Sequence, residues 1–93
     1  MEIVLMVVEF HLAGCRTLKE KRHRLSGIRD RFGKESNVAV CESDYHDLLH
    51  QAQWSFVVIG LSRRKVDQTL AGIELFLQTG IDAVITRVDV QVK

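Results

Sequence analysis

Cationic side chains crowd one stretch of this 93-residue chain. Arg16, Lys19, Lys21, Arg22, Arg24, Arg29, Arg31 and Lys34 stand against only Glu20 and Asp30, a local charge of +6 in a chain whose total is +1. The compensating acids lie elsewhere, with −2 in residues 1–15 and −3 in residues 35–93. A surface of this kind can neutralise several phosphates and release their counterions, which makes binding weaken with salt. Arg16, Lys19, Arg22, Arg24 and Arg31 are the candidate nucleic-acid contacts, and the first two sit where a helix N-terminus itself favours anions. The competing reading is a solvated face. In that reading the stems of Lys21, Arg22 and Arg29 cover the edge of the core, and their heads meet carboxylates from Glu42 or Asp44. Arg63-Arg64-Lys65 repeats the signal weakly at another helix start, where the dipole disfavours bases.

His46-Asp47-Leu48-Leu49-His50 is the other stretch with chemical content. On a helix the two imidazoles would share a face and could share a metal, in the manner of HExxH with Asp for Glu. The shorter carboxylate holds a general base farther from a bound water, and no third ligand is identifiable beyond assuming that Cys41 or His11 comes close. A polar loop with two exposed histidines is the better reading. Glu42, Asp44 and Asp47 could hold a divalent cation, but such sites need more geometry than acidic spacing supplies. Neither Cys15 nor Cys41 carries a nucleophile motif, and Cys41, on an alternating strand, is expected to be packed. There is no P-loop and no GxGxxG. The residues therefore predict no catalytic group, no metal and no cofactor.

Composition limits what these residues can be attached to. Hydrophobic residues at 46% and charged residues at 27% fit an ordinary globular protein rather than a disordered one. No apolar run reaches the length of a membrane span, and the Met1-Glu2 start has neither the basic region nor the cleavage site of a signal peptide. Two cysteines are too few for a disulfide framework. A single domain over residues 1–93, cytoplasmic and with reduced thiols, is expected.

The elements follow from periodicity. Glu2 to Leu12 is almost continuously apolar and reads as a central strand. Ala13-Gly14-Cys15-Arg16 breaks it, and Thr17 can cap a helix, with Lys21 near the place where a full capping box puts Glu or Gln. Leu18, Leu25, Ile28 and Phe32 line that helix, and Gly33 stops it. Asn37 to Glu42 and Gln53 to Leu61 read as strands, and the polar Ser43–Ala52 connection between them has room for a helical turn. Ser62 caps a second helix lined by Val66, Leu70, Ile73 and Leu77, ending at Thr79-Gly80. Arg87 to Lys93 alternates as a strand with one wet face. The order βαββαβ predicts a ferredoxin-like α+β sandwich, a four-stranded antiparallel sheet with two helices on one face.

Parity assigns the faces. If Val88, Val90 and Val92 face the helices, Val4, Met6, Val8 and Phe10 do so too. Ile3, Leu5 and Val7 then lie on the uncovered face, where Val57 and Ile59 can join them in a patch that would suit a homodimer. Glu9, His11, Ser55 and the polar residues of the last strand would keep that face wet. RNA-recognition motifs share the topology and stack bases on the open face, but Gln53-Trp54-Ser55-Phe56-Val57-Val58 lacks the glycines and basic start of their signature. Trp54 and Phe56 are expected to face the helices.

Two segments also resemble the YlxP-like family of small bacterial proteins of unknown function. Thr17-Leu18-Lys19-Glu20-Lys21-Arg22 matches its S-L-K-x-K-R helix opening with Thr for Ser, and Glu42-Ser43-Asp44-Tyr45-His46-Asp47-Leu48 is similar to its E-x-D-x-x-D-L segment. Leu49 and His50 stand where the family commonly has Trp and Gln. The resemblance implies the same fold, a bacterial cytosolic setting, and a place near ribosome assembly or translation, since members are often encoded beside factors for those processes. It supplies no established activity. On the residues themselves, Lys21 or Arg22 is expected to pair with Asp44 or Asp47 and hold the acidic loop beside the basic helix. The leading expectation is a non-catalytic accessory protein touching ribosomal RNA or a ribosomal subunit. The alternatives are a homodimeric protein-interaction module and a small metal- or ligand-dependent enzyme built on His46 and His50.

Overall fold

The computed structural model describes all residues from Met1 to Lys93. Six elements follow in order: β1 (Glu2–His11), α1 (Leu18–Phe32), β2 (Val38–Asp44), β3 (Gln51–Gly60), α2 (Arg63–Thr79) and β4 (Val84–Val92). The strands form one antiparallel sheet in the order β2-β3-β1-β4, with the two longest strands in the middle. This is the ferredoxin-like α+β arrangement that the alternation predicts.

Period-2 burial runs cleanly through the central pair. Val4, Met6, Val8 and Phe10 of β1 and Ala52, Trp54, Phe56 and Val58 of β3 are buried on the helix side. Leu25, Ile28 and Phe32 of α1 and Val66, Leu70, Ile73 and Leu77 of α2 close over them. Phe32 links the layers, meeting Phe56 edge-on at 6.0 Å and Phe76 of α2 edge-on at 5.4 Å. Thr17 and Ser62 cap the helices through their hydroxyls, which accept from the amides of Glu20 and Lys65. Counted from the cap, the capping-box position is Glu20 rather than Lys21. Its carboxylate turns to Arg24, so the box is half formed.

Element ends depart from the sequence reading. β2 runs to Asp44, and β3 begins at Gln51, so the connection between them shortens to a tight turn without helix. β4 begins at Val84, because a register shift opposite Glu9 and Phe10 places Ile85 across from Phe10. That irregularity breaks the alternation, which is why the sequence shows only the later part of the strand. Val88, Val90 and Val92 do lie on the helix side, opposite Val8, Met6 and Val4, yet they are 37%, 47% and 58% exposed. The helices sit toward the other edge, α1 against β2 and α2 mainly over β1 and β3, so beyond the half-buried Ile85 the valines of β4 stay partly wet. Cys41 is exposed on β2, and Cys15, in the β1–α1 connection, is the buried cysteine; both thiols are free.

Two glycines with opposite surroundings test this packing. A methyl group at Gly72, inside α2, meets nothing within 4 Å, whereas one at Gly80 would lie 2.7 Å from the Phe76 ring. Gly72→Ala should therefore stabilise by about 0.5–1 kcal/mol, and Gly80→Ala should destabilise by about 1–3 kcal/mol. Urea unfolding of the two variants should show midpoints moving in opposite directions.

Candidate functional site

The side of α1 that faces β2 bears a groove. Lys21, Arg22, Leu25 and Arg29 belong to its helical wall, Glu42, His46 and Asp47 form the opposite wall, and Trp54 of β3 reaches it from below. The cavity measures about 440 Å³. Its shape rests on Lys21, which is 2% exposed. The Lys21 ammonium donates to the backbone carbonyls of Tyr45 at 2.6 Å and Leu48 at 2.8 Å, and lies 3.5 Å from the Glu42 carboxylate. Two hydrogen bonds and a neighbouring counter-ion thus offset the burial of the ammonium. Tyr45 adopts φ +63°, uncommon for a side chain of this size. Its amide donates to the Asp44 carboxylate at 2.7 Å, and its carbonyl also accepts from the Leu48 amide.

The pairing of Lys21 with Asp44 or Asp47 does not form; Lys21 meets Glu42, one of the two carboxylates that the solvated-face reading offered it. Glu42, rather than Asp44 or Asp47, meets Lys21, because Glu42 lies on the helix side of β2 with Trp54 as its ladder partner. Asp44 is taken up by the turn, and Asp47 is exposed without an ion pair or hydrogen bond. Arg22 has no carboxylate within 4 Å and faces the groove exposed. Arg24 is corrected as well. Its guanidinium donates to the carbonyls of Asp82 and Ala13, lies 3.2 Å and 3.4 Å from the carboxylates of Asp82 and Glu20, and keeps only 12% of its side chain exposed. It ties α1 to two connections and is not free for a phosphate. Arg16, Lys19 and Arg31 are exposed and unpaired with any carboxylate.

His46 and His50 do not come together on a helix. His46 Nε2 donates to the Glu42 carbonyl and His50 Nε2 to the Cys15 carbonyl, each at 3.1 Å; a carbonyl only accepts, so Nε2 carries the proton in both contacts. No three His, Cys, Asp or Glu side chains gather into a metal-binding group. Ile3, Leu5, Val7, Val57 and Ile59 all lie on the uncovered sheet face, where Ile3 pairs with Ile59 and Leu5 with Val57.

Trp54 and Arg29 are the groove residues that sequence reasoning did not join. The Arg29 guanidinium sits over the Trp54 ring, 5.6 Å from its centroid. The indole N–H is the one buried side-chain polar group without a partner. Trp54 was legible as core and Arg29 as a flank of the helical stripe. Only the pairing of β2 with β3 brings them to one groove.

A family model described as a protein of unknown function (DUF503) matches residues 3–90. The chain belongs to the DUF503 family. No curated protein matches it. Among solved structures, a solution structure of the SecDF periplasmic domain P4 is similar at 11% identity, covering 98% of this chain and 88% of that one with a TM-score of 0.49. The de novo designed protein Ferredog-Diesel is similar at 14% identity, 96% and 83% coverage and a TM-score of 0.44. Neither likeness bears on what this DUF503 domain does. No helix is long and apolar enough to cross a membrane.

The Lys21 clamp makes a prediction about this domain. Lys21→Met keeps the stem and removes the ammonium, leaving two carbonyls and Glu42 without their donor. Stability should fall by about 3 kcal/mol, and the Leu48 amide should lose hydrogen-exchange protection before the central strands do. Unchanged melting with an intact turn would show that water replaces the ammonium at no cost.

Proposed function

We propose that the protein is a non-catalytic accessory of the bacterial translation apparatus, working in the cytoplasm and docking α1 on the phosphate backbone of ribosomal RNA. The observation that carries this reading is the distribution of ion pairs. Of the eight basic residues between Arg16 and Lys34, only Lys21 and Arg24 have a carboxylate within 4 Å. Arg16, Lys19, Arg22, Arg29, Arg31 and Lys34 remain exposed and unpaired. Such a surface attracts a polyanion over long range and positions it without reading sequence. The YlxP-like resemblance of Thr17–Arg22 and Glu42–Leu48, with the gene neighbourhood it implies, supports ribosomal RNA as the polyanion.

Co-sedimentation with ribosomal subunits across a salt series tests it. Binding should fall steeply with salt, and a Lys19→Glu, Arg22→Glu, Arg31→Glu variant that melts like the parent should bind far more weakly. Its salt slope should be shallower by about 0.7–0.9 for each phosphate that the variant no longer neutralises. Absence of binding by the parent at low salt would discard the reading.

A second reading, a homodimer through the open sheet face, is favoured by one observation. Ile3, Leu5, Val7, Val57 and Ile59 form a continuous apolar strip that neither helix covers, with Ile3 and Ile59 still 36% and 37% exposed. Arg87 and Asp89 follow on the same face of β4, so a two-fold apposition can set each against its opposite charge in the second copy. Sedimentation equilibrium should then return twice the chain mass, and Leu5→Glu should return the monomer. A monomeric parent at high concentration would remove this reading and leave the RNA proposal untouched.

A further inference from the structure

We infer that the groove between α1 and β2 receives one unstacked nucleotide of the RNA, phosphate toward Arg22 and base over Arg29, with guanine the preferred base. The inference rests on the phosphate-docking reading and adds a specificity that docking alone does not have. A volume of about 440 Å³ lies within the range of small-ligand sites, about 300–1,000 Å³.

The walls select the ligand. Arg22 and Arg29 are seven residues apart, so they share one side of α1 with their Cα atoms about 10 Å apart, and neither has a carboxylate partner. Across from them Asp47 is exposed and accepts no hydrogen bond, while Glu42 is already held by Lys21. A simple anion would be repelled by Asp47, and a simple cation by the two guanidiniums. The ligand must carry negative charge at one end and N–H donors at the other. Arg29, held over the Trp54 ring at 5.6 Å, offers a flat cationic platform, and bases stack on such guanidinium planes. A carboxylate accepts from base-edge N–H groups, and guanine presents two adjacent donors, N1–H and the 2-amino group, whereas uracil presents one.

A second observation comes from the floor. The one buried side-chain donor left without an acceptor in the whole protein belongs to Trp54, which lines this groove. Buried donors are otherwise almost always paired; this N–H is itself closed to solvent, so it marks the packed floor under the groove rather than a donor to the bound base.

Trp54 is the only tryptophan, so its indole N–H gives a single NMR signal that reports the groove directly. The intact protein is titrated with GMP, UMP and inorganic phosphate, and with short single-stranded RNAs that carry one guanine among uracils or none. GMP and the guanine-bearing RNA should move the signal saturably, about tenfold more tightly than their uracil counterparts, and phosphate should not saturate it. Asp47→Asn should abolish the guanine preference at unchanged melting temperature, and Arg29→Ala should weaken both ligands about tenfold while the protein stays folded at the titration temperature. Equal responses to GMP, UMP and phosphate would overturn the inference. So would an unmoved indole signal while subunits still co-sediment, and in that outcome the phosphate-docking reading stands. Saturable GMP binding without co-sedimentation would keep the groove as a site for a free nucleotide and remove the ribosomal reading. A response to GMP but to neither RNA would likewise place the ligand outside RNA.

Discussion

The buried ammonium of Lys21 fixes the geometry of everything chemically interesting in this domain. An ammonium in the core edge is costly unless it is hydrogen-bonded and its charge has a counter-ion. Two carbonyls of the β2–β3 turn and the Glu42 carboxylate meet that condition. The constraint runs both ways. The turn must bring Tyr45 and Leu48 carbonyls inward, which accompanies the left-handed backbone at Tyr45, and α1 must keep the register that points residue 21 at the turn. Because the clamp joins helix and turn, it also sets the spacing of the groove between Arg22 and Arg29 on one side and Asp47 on the other. An apolar residue of similar volume could fill the space, but it would not specify where the turn lies.

The fold was legible because most of it is written in two periods. Alternation in β1 and β3 and the stripes of α1 and α2 are each decided by burial against the same core, so local pattern and tertiary structure agree. Legibility fails where a residue's surroundings come from a distant segment. The register shift opposite Glu9 and Phe10 hides the start of β4. The valines of β4 have the parity of core residues but lack a helix above them, and no local pattern reports how far a helix reaches across a sheet. Cys41 is the same case in reverse, expected packed because it sits on an alternating strand and found on the exposed side.

The geometry of the candidate site was legible in outline only. Charge clustering identified α1, and the resemblance joined its basic opening to the acidic segment after β2. Which acid meets which base could not be read, since Glu42, Asp44 and Asp47 differ by strand parity and turn geometry that appear only when the turn is built. Arg24 looked like its neighbours until Ala13 and Asp82 closed around it. Trp54 reads as core from sequence, and core it is. Its unsatisfied N–H becomes visible only once every other acceptor nearby has been assigned.

These placements sort the cations of α1 by angle around the helix. Lys21 points inward and is neutralised, Arg24 turns toward the connections and is neutralised, and the rest of the positive charge is left on the surface. Arg22, Arg29, Asp30 and Asp47 are all exposed and none of them forms an ion pair, so this side of the helix keeps charges of both signs in water. The open guanidiniums border the only wall of the helix layer that carries both a free carboxylate and an indole. The apolar strip of Ile3, Leu5 and Val57 lies on the opposite side of the sheet. Self-association through that strip would therefore leave both grooves uncovered and turned outward, and a single RNA segment could not lie flat across the two. Were phosphate docking and dimerisation both to hold, the geometry would allow one RNA site per protomer rather than one shared site.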